Sequence, residues 1–159
     1  MGEPLHSSKP YRARPAHAES ASPTLPEVTI IKHFFPRHLV IQAKVTNSAP
    51  GLNGRTLGNV SFVVAESSDE AIMPSAQVPV KALPPKSTGS AWCALAAAPQ
   101  RLDGTAVLTC ELRYSVLAVD TTTGAPLSFG GGTMATSGLG RAYVEELQDM
   151  EIHAAHFAM

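Results

Sequence analysis

The residues in this chain that could do chemistry are few and widely spaced, and its histidines come first. His153 and His156 stand three apart, which on a helix would put both imidazoles on one face, as zinc requires. No cysteine or carboxylate supplies the remaining ligands at a recognisable spacing, so a solvated C-terminal tail is expected there instead. His33 and His38 flank Phe34-Phe35-Pro36-Arg37 and read as polar bend residues bonded to local backbone rather than as acid and base. No Gly-x-Ser-x-Gly nucleophile elbow occurs, and the glycines at 130–132 lack the Gly-Lys-Ser/Thr that completes a phosphate cradle. Ser67-Ser68-Asp69-Glu70 has the form of an acid-directed phosphorylation site. Trp92 is the only tryptophan; it is expected in the core, with an exposed anchor for a partner peptide as the alternative. Val78 and Val80, on a short strand holding Pro79, are the other candidate partner-binding residues. No catalytic, cofactor or metal site is expected, and nothing argues for an enzyme.

The elements that would position these residues are strands. Across Ile30 to Asn47 two arms bend around Phe34 to Arg37, and on the second Leu39, Ile41, Ala43 and Val45 alternate with Val40, Gln42, Lys44 and Thr46. A period of two gives one apolar row on a core face and leaves Gln42, Lys44 and Thr46 facing out. Pro36 cannot donate to a ladder and belongs at the corner. Leu57 to Ala65 is the next strand, with Val60, Phe62 and Val64 on one side, and Glu66 to Glu70 is a solvated acidic loop. Gln77 to Leu83 holds Pro79 and should lie at a sheet edge. Ser90 to Ala98 is alanine-rich, which favours a helix, yet its place between two turn clusters favours a strand. Thr105 to Val119 is the longest strand signal, with Leu108, Cys110, Leu112, Tyr114 and Val116 in one row. The stretch from Phe129 to Gly140 is a glycine-rich loop. Residues 1–26 are rich in proline and show no periodicity, which predicts a disordered lead-in or linker. Seven or eight short strands without a strong amphipathic helix predict an all-β, antiparallel β-sandwich over residues 27–142.

A chain of 159 residues with 44% hydrophobic content suits one domain with a real core. A formal net charge of −1 does not suit a nucleic-acid partner, which would call for a basic patch. Apolar runs fall well short of the ~20 residues of a membrane span. The opening MGEPLHSSKPYRARPAH lacks the apolar core of a secretory signal, and a histidine at position 6 weakens a myristoylation reading. Without such a signal, Cys93 and Cys110 are expected as buried free thiols, and the Asn59-Val60-Ser61 sequon as unused.

Several dispersed stretches carry a family resemblance. IIKHFFPRHLVIQAKVTN, TLGNVSF, KALPP, TAVLTCELRYSV with VDTTTGAP, and YVEELQDMEI resemble, in the same order, the appendage of the gamma subunit of coatomer. The resemblance spans about residues 27–152. It implies the immunoglobulin-like sandwich part of that appendage, akin to the ear domains of clathrin adaptors. The function it implies is a non-enzymatic protein-recruiting module of the coatomer (COPI) vesicle coat, in intra-Golgi and Golgi-to-ER transport. Its setting would be cytoplasmic, peripheral on Golgi and COPI-coated vesicle membranes, touching the membrane only through the coat. Other coatomer subunits and accessory proteins such as an Arf GTPase-activating protein are the implied partners, mainly through a platform missing here, so the sandwich itself is expected to bind such ligands weakly or not at all and to act as a spacer and scaffold. A platform subdomain would follow, with residues 143–159 as the connector toward it and a frayed end around Phe157. The glycine-rich loop departs from the acidic character of the family at that place. The alternative is an unrelated immunoglobulin-like binding module, adhesive or extracellular, which a Cys93–Cys110 disulfide would favour.

Overall fold

The computed structural model describes residues 3–15, 26–48, 55–117 and 141–157. Its framework is the hairpin of β3 (Glu27–Phe35) and β4 (His38–Thr46), joined through Pro36 and Arg37. The two strands pair in antiparallel register from Glu27↔Thr46 to Phe35↔His38. Leu39, Ile41, Ala43 and Val45 are fully buried, so the alternation along β4 sets the inner face as its sequence predicts. β8 (Thr88–Ala97) pairs with β4, placing Cys93 opposite Ile41 and Ala91 opposite Ala43. The alanine-rich stretch is therefore a strand. Two ladder neighbours outweigh the helical preference of a few alanines.

The second sheet is built on β9 (Thr105–Val116), which pairs with β5 (Leu57–Ser67). Its inward row of Leu108, Cys110, Leu112, Tyr114 and Val116 meets the inner face of the first sheet in one continuous core. β5 carries an irregularity between Gly58 and Ser61, where Asn59 takes a φ of 48°. Asparagine tolerates that left-handed conformation, and the extra residue lets Leu57 and Val60 both face inward despite their odd separation. The sheets are thus ordered β1 (His6–Ser7)-β3-β4-β8-β6 (Ile72–Val78), with β2 (Tyr11–Ala13) also on β3, and β10 (Arg141–Glu146)-β9-β5-β7 (Val80–Leu83), with β11 (Met150–His153) also on β9. All strand pairs are antiparallel, and the result is a β-sandwich of the immunoglobulin-like kind.

Four expectations from the sequence are corrected. The lead-in is not structureless over its described part: β1 (His6–Ser7) and β2 (Tyr11–Ala13) both pair with β3. Backbone bonds hold these short strands, and such bonds leave no hydrophobic period to read. The proposed edge strand is two strands, β6 (Ile72–Val78) in the first sheet and β7 (Val80–Leu83) in the second, divided at Pro79. Pro79 cannot donate to either ladder, so the chain changes sheets there. Order does recover over Tyr143 to Ile152, but as part of the second sheet rather than as a connector: β10 (Arg141–Glu146) and β11 (Met150–His153) both pair with β9. Finally, the frayed end is a packed 3-10 turn, Ala154–Phe157, whose Phe157 is only 8% exposed and meets the Phe34 ring edge-on at 5.2 Å. The strands described therefore number eleven, more than the seven or eight expected. The glycine-rich stretch from Phe129 to Gly140 lies outside the described residues.

The sandwich is closed along one side. Pro15 bridges Leu147, and the Gln148 N–H donates to the Arg14 carbonyl at 2.9 Å, tying the first sheet's β2 end to the second sheet's β10–β11 connection. On the other side β5 and β6 face each other across the sheets without sharing a ladder.

Candidate protein-interaction face

Trp92 is not in the core. Ala91, Cys93 and Leu95 take the inward positions of β8, and a strand has one inward parity, so Trp92 stands partly exposed on the outer face of the first sheet. Its registered neighbours are Gln42 on β4 and Val78 on β6. Val78, 60% exposed, is the most open large apolar side chain among the described residues. The structure thus brings two of the three candidate residues together. Val80 is separated from them: it follows Pro79 into the other sheet, where it pairs with Val60 and packs against the core. Leu95 held the signal for Trp92, because placing that leucine inward forces position 92 outward.

A polar ladder runs across the same face. Gln42 donates from Nε2 to Ser90 Oγ at 3.1 Å and accepts at Oε1 from His33 Nε2 at 3.0 Å. The proton of neutral His33 therefore sits on Nε2, and Nδ1 accepts from the Ser7 hydroxyl at 2.7 Å. The His33 ring lies 6.0 Å from the Trp92 ring, tilted by 32°. A serine beside an imidazole invites a nucleophile–base reading. Here the imidazole's other partner is a neutral amide, which does not stabilise an imidazolium as a carboxylate would. The ladder fixes β1 to the sheet and holds the ground around Trp92. His33 is thus bonded across strands rather than to local bend backbone. Ile31, Val40 and Ala94 complete a mixed surface of apolar and hydrogen-bonding groups. Such a surface can bind a protein segment through one aromatic anchor and a polar surround.

His153 and His156 do not lie in a solvated tail. His153 Nδ1 accepts from the Thr105 hydroxyl at 2.6 Å, and His156 Nδ1 accepts from the His153 backbone N–H at 3.1 Å. His6 donates from Nε2 to the His156 carbonyl and stacks on Phe34 with ring centroids 4.6 Å apart. The three histidines tie both ends of the described chain to Phe34. Among the described residues, no three His, Cys, Asp or Glu side chains could hold a metal ion. Burial, aided by the charges of Lys32, His153 and His6, pushes the His156 pKa down.

Cys93 and Cys110 are buried free thiols. Burial and the neighbouring Cys93 push Cys110 up to about 12, with Asp149 adding to the effect, while burial raises Cys93. Such thiols hold little thiolate and are poor nucleophiles. Lys32 occupies the inward row between Ile30 and Phe34, with its ammonium over the Tyr11 ring at 5.5 Å. Burial lowers its pKa and raises that of Tyr11 to about 12; in both, burial is the first cause.

The geometry defines an antiparallel sandwich with an outward tryptophan, a hydrogen-bonded ladder and buried thiols. The family is specified by comparison with known proteins. The model of the coatomer gamma subunit appendage platform subdomain matches residues 1–132. This chain belongs to that family. It is also similar to coatomer subunit gamma-1 of Oryza sativa subsp. japonica, 28% identical over 124 residues. That match covers 78% of this chain and 13% of the rice protein, so the chain spans about an eighth of that relative's length. The family description applies the name platform subdomain to a stretch that takes in most of the sandwich.

Proposed function

We propose that this chain is a non-enzymatic protein-recruiting module of the COPI vesicle coat, acting in transport between Golgi and endoplasmic reticulum and within the Golgi. It binds other coatomer subunits and accessory proteins, an Arf GTPase-activating protein among them, through the outer face of the first sheet. The observation that carries the reading is Trp92, facing outward from β8 beside Val78 on the edge strand and next to the Ser7–His33–Gln42–Ser90 ladder. A large aromatic whose burial would strengthen with a partner is a typical binding hot spot. Family membership supports the coat setting, which would place the chain in the cytoplasm, peripheral on Golgi and vesicle membranes. No helix among the described residues is long and apolar enough to cross a membrane.

The test is titration of the chain with an Arf GTPase-activating protein fragment, beside a pull-down of coatomer subunits from cytosol. Trp92→Ala and Val78→Asp should each weaken binding by tenfold or more, the ~1.4 kcal/mol or greater loss that marks a hot spot. Val144→Asp, on the far sheet, should leave binding unchanged. Equal binding by wild type and Trp92→Ala would remove the face from consideration, and coatomer subunits missing from the pull-down would remove the coat setting.

A further inference from the structure

The open side of the sandwich holds a second surface, separate from the Trp92 face. β5 ends at Ser67, the chain crosses between sheets through Ser68–Ala71, and β6 then runs along the edge of the first sheet. The crossover is firmly tied: the Ala71 N–H donates to Asp69 Oδ1 at 2.8 Å, and the Ala98 N–H to the Ala71 carbonyl at 2.8 Å. After Pro79 the chain returns as β7, which pairs with β5 only at Leu57, Gly58 and Val60. Among the described residues, then, β5 from Ser61 to Ser67 has a strand partner on its β9 side alone, and β6 has one on its β8 side alone. Between these two edges lies a cavity of about 340 Å³. Val63 and Val64 line it from β5, Pro74, Ala76 and Gln77 from β6, and Cys93 from between them. It exists because Ala76 and Cys93 are small where a larger side chain would fill the gap between the sheets.

Two properties of this slot define its occupant. A strand edge offers a row of backbone donors and acceptors that an extended peptide can pair with, a need that a small apolar molecule does not meet. None of the side chains lining the cavity is charged, but the segment that supplies β5 and β6 carries one sign of charge. From Thr56 to Val80 the chain holds Glu66, Asp69 and Glu70 and no lysine, arginine or histidine. Glu66 and Glu70 are exposed near the end where the chain crosses sheets. Both edges carry an irregularity, β5 between Val64 and Glu66 and β6 between Pro74 and Ala76, but on β6 Pro74 also removes a backbone donor, which blunts that edge further. Pairing is accordingly assigned to β5. We propose that the slot receives an extended peptide of a partner protein by strand addition to β5. One bulky apolar side chain of that peptide fills the cavity beside Cys93, and its lysine or arginine residues face Glu66 and Glu70.

The probe is a displayed library of random peptides of about eight residues, long enough at ~3.3 Å per residue to run the length of the slot. Selection on the wild-type chain should enrich peptides that combine a Leu, Met, Phe or Trp with neighbouring Lys or Arg. An enriched peptide, made synthetically, should shift the backbone amides of Ser61 to Glu66 in a saturable way. Methylating alternate peptide nitrogens should weaken it about tenfold or more, because each blocked N–H removes a ladder bond. Gln77→Trp, a change at an exposed position, should occlude the cavity and abolish binding, and Glu66→Lys with Glu70→Lys should weaken it. Trp92→Ala should leave it unchanged, which separates this slot from the face proposed above. No enrichment over a blank support would overturn the proposal. So would enriched peptides that bind Gln77→Trp as well as wild type, or that tolerate N-methylation without loss.

Discussion

At the scale of single residues, the telling positions are polar groups held in apolar surroundings. His156 is pressed against Phe34 with Lys32, His153 and His6 nearby, and its pKa is lowered by burial first and by those charges second. A base with a depressed folded pKa binds fewer protons in the native state than in the unfolded chain. Its contribution to stability is therefore present above the unfolded pKa of about 6.5 and is lost as pH falls through the folded value. Denaturant midpoints should decline between about pH 7 and pH 5, and His156→Gln should flatten that part of the curve. An unchanged slope in the variant would show that other groups set it. The two thiols provide a second residue-scale check. With Cys110 at about 12, its thiol in native protein at neutral pH should react with a thiol reagent only as fast as the protein opens, while Cys93, also raised but lining the slot, should react slowly without opening. Protein unfolded under alkylating conditions should yield both groups; a yield of neither would mean a disulfide and would count against a reducing compartment.

At the scale of elements, strands with a clean alternation were legible and strands held by backbone bonds alone were not. β4 and β9 announce their inner rows in sequence, and each listed inward residue is buried. β1 and β2 carry too few residues for any period, and β6 has Met73, Pro74 and Ser75 all exposed, so no apolar row marks it. The face around Trp92 was half legible for the same reason. Its parity could be read from Leu95, but the ladder through Ser7 joins residues 83 positions apart in sequence, from Ser7 to Ser90, and only the fold brings them together. The slot between β5 and β6 was not legible at all, since it depends on the chain changing sheets at Pro79. The hairpin gives the quantitative test. Ile41→Ala removes a fully buried side chain and should cost roughly 2–5 kcal/mol. A solvent-facing glutamine would cost about 0.5 kcal/mol or less on truncation. Gln42 is bonded to both His33 and Ser90, so Gln42→Ala should instead cost about 1 kcal/mol. Urea midpoints of the two variants would check both figures, and equal shifts would mean the register is wrong.

At the scale of the whole molecule, the sandwich has a sealed side and an open side, and the seal is made by the segments that the sequence presents as a lead-in and a connector. β1 and β2 extend the first sheet beyond β3, while β10 and β11 extend the second beyond β9. The Pro15–Leu147 bridge joins the two extensions. At the end of the sandwich His6, Phe34, His156 and Phe157 form one aromatic cluster, with Phe34 touching each of the other three. Lys32 depends on the same arm, because Tyr11 covers its ammonium and Ser8 accepts from its backbone N–H at 2.8 Å. Removing residues 1–15 would therefore strip the ladder from one edge of β3, expose Phe34, and leave the 3-10 turn at Ala154–Phe157 without the His6 contact. A lead-in that was disordered would leave stability unchanged when deleted. The structure predicts a loss instead, of about 2–5 kcal/mol, comparable with deleting one large buried side chain. It also predicts faster amide exchange in β3, the strand whose neighbours go missing, and at Gln148, whose N–H loses the Arg14 carbonyl, with β4 and β5 little changed. Urea unfolding and hydrogen exchange of a chain beginning at residue 16, beside the full chain, would decide. Coincident unfolding curves and unaltered protection in β3 would mean that the arm only rests on a sandwich that is complete without it.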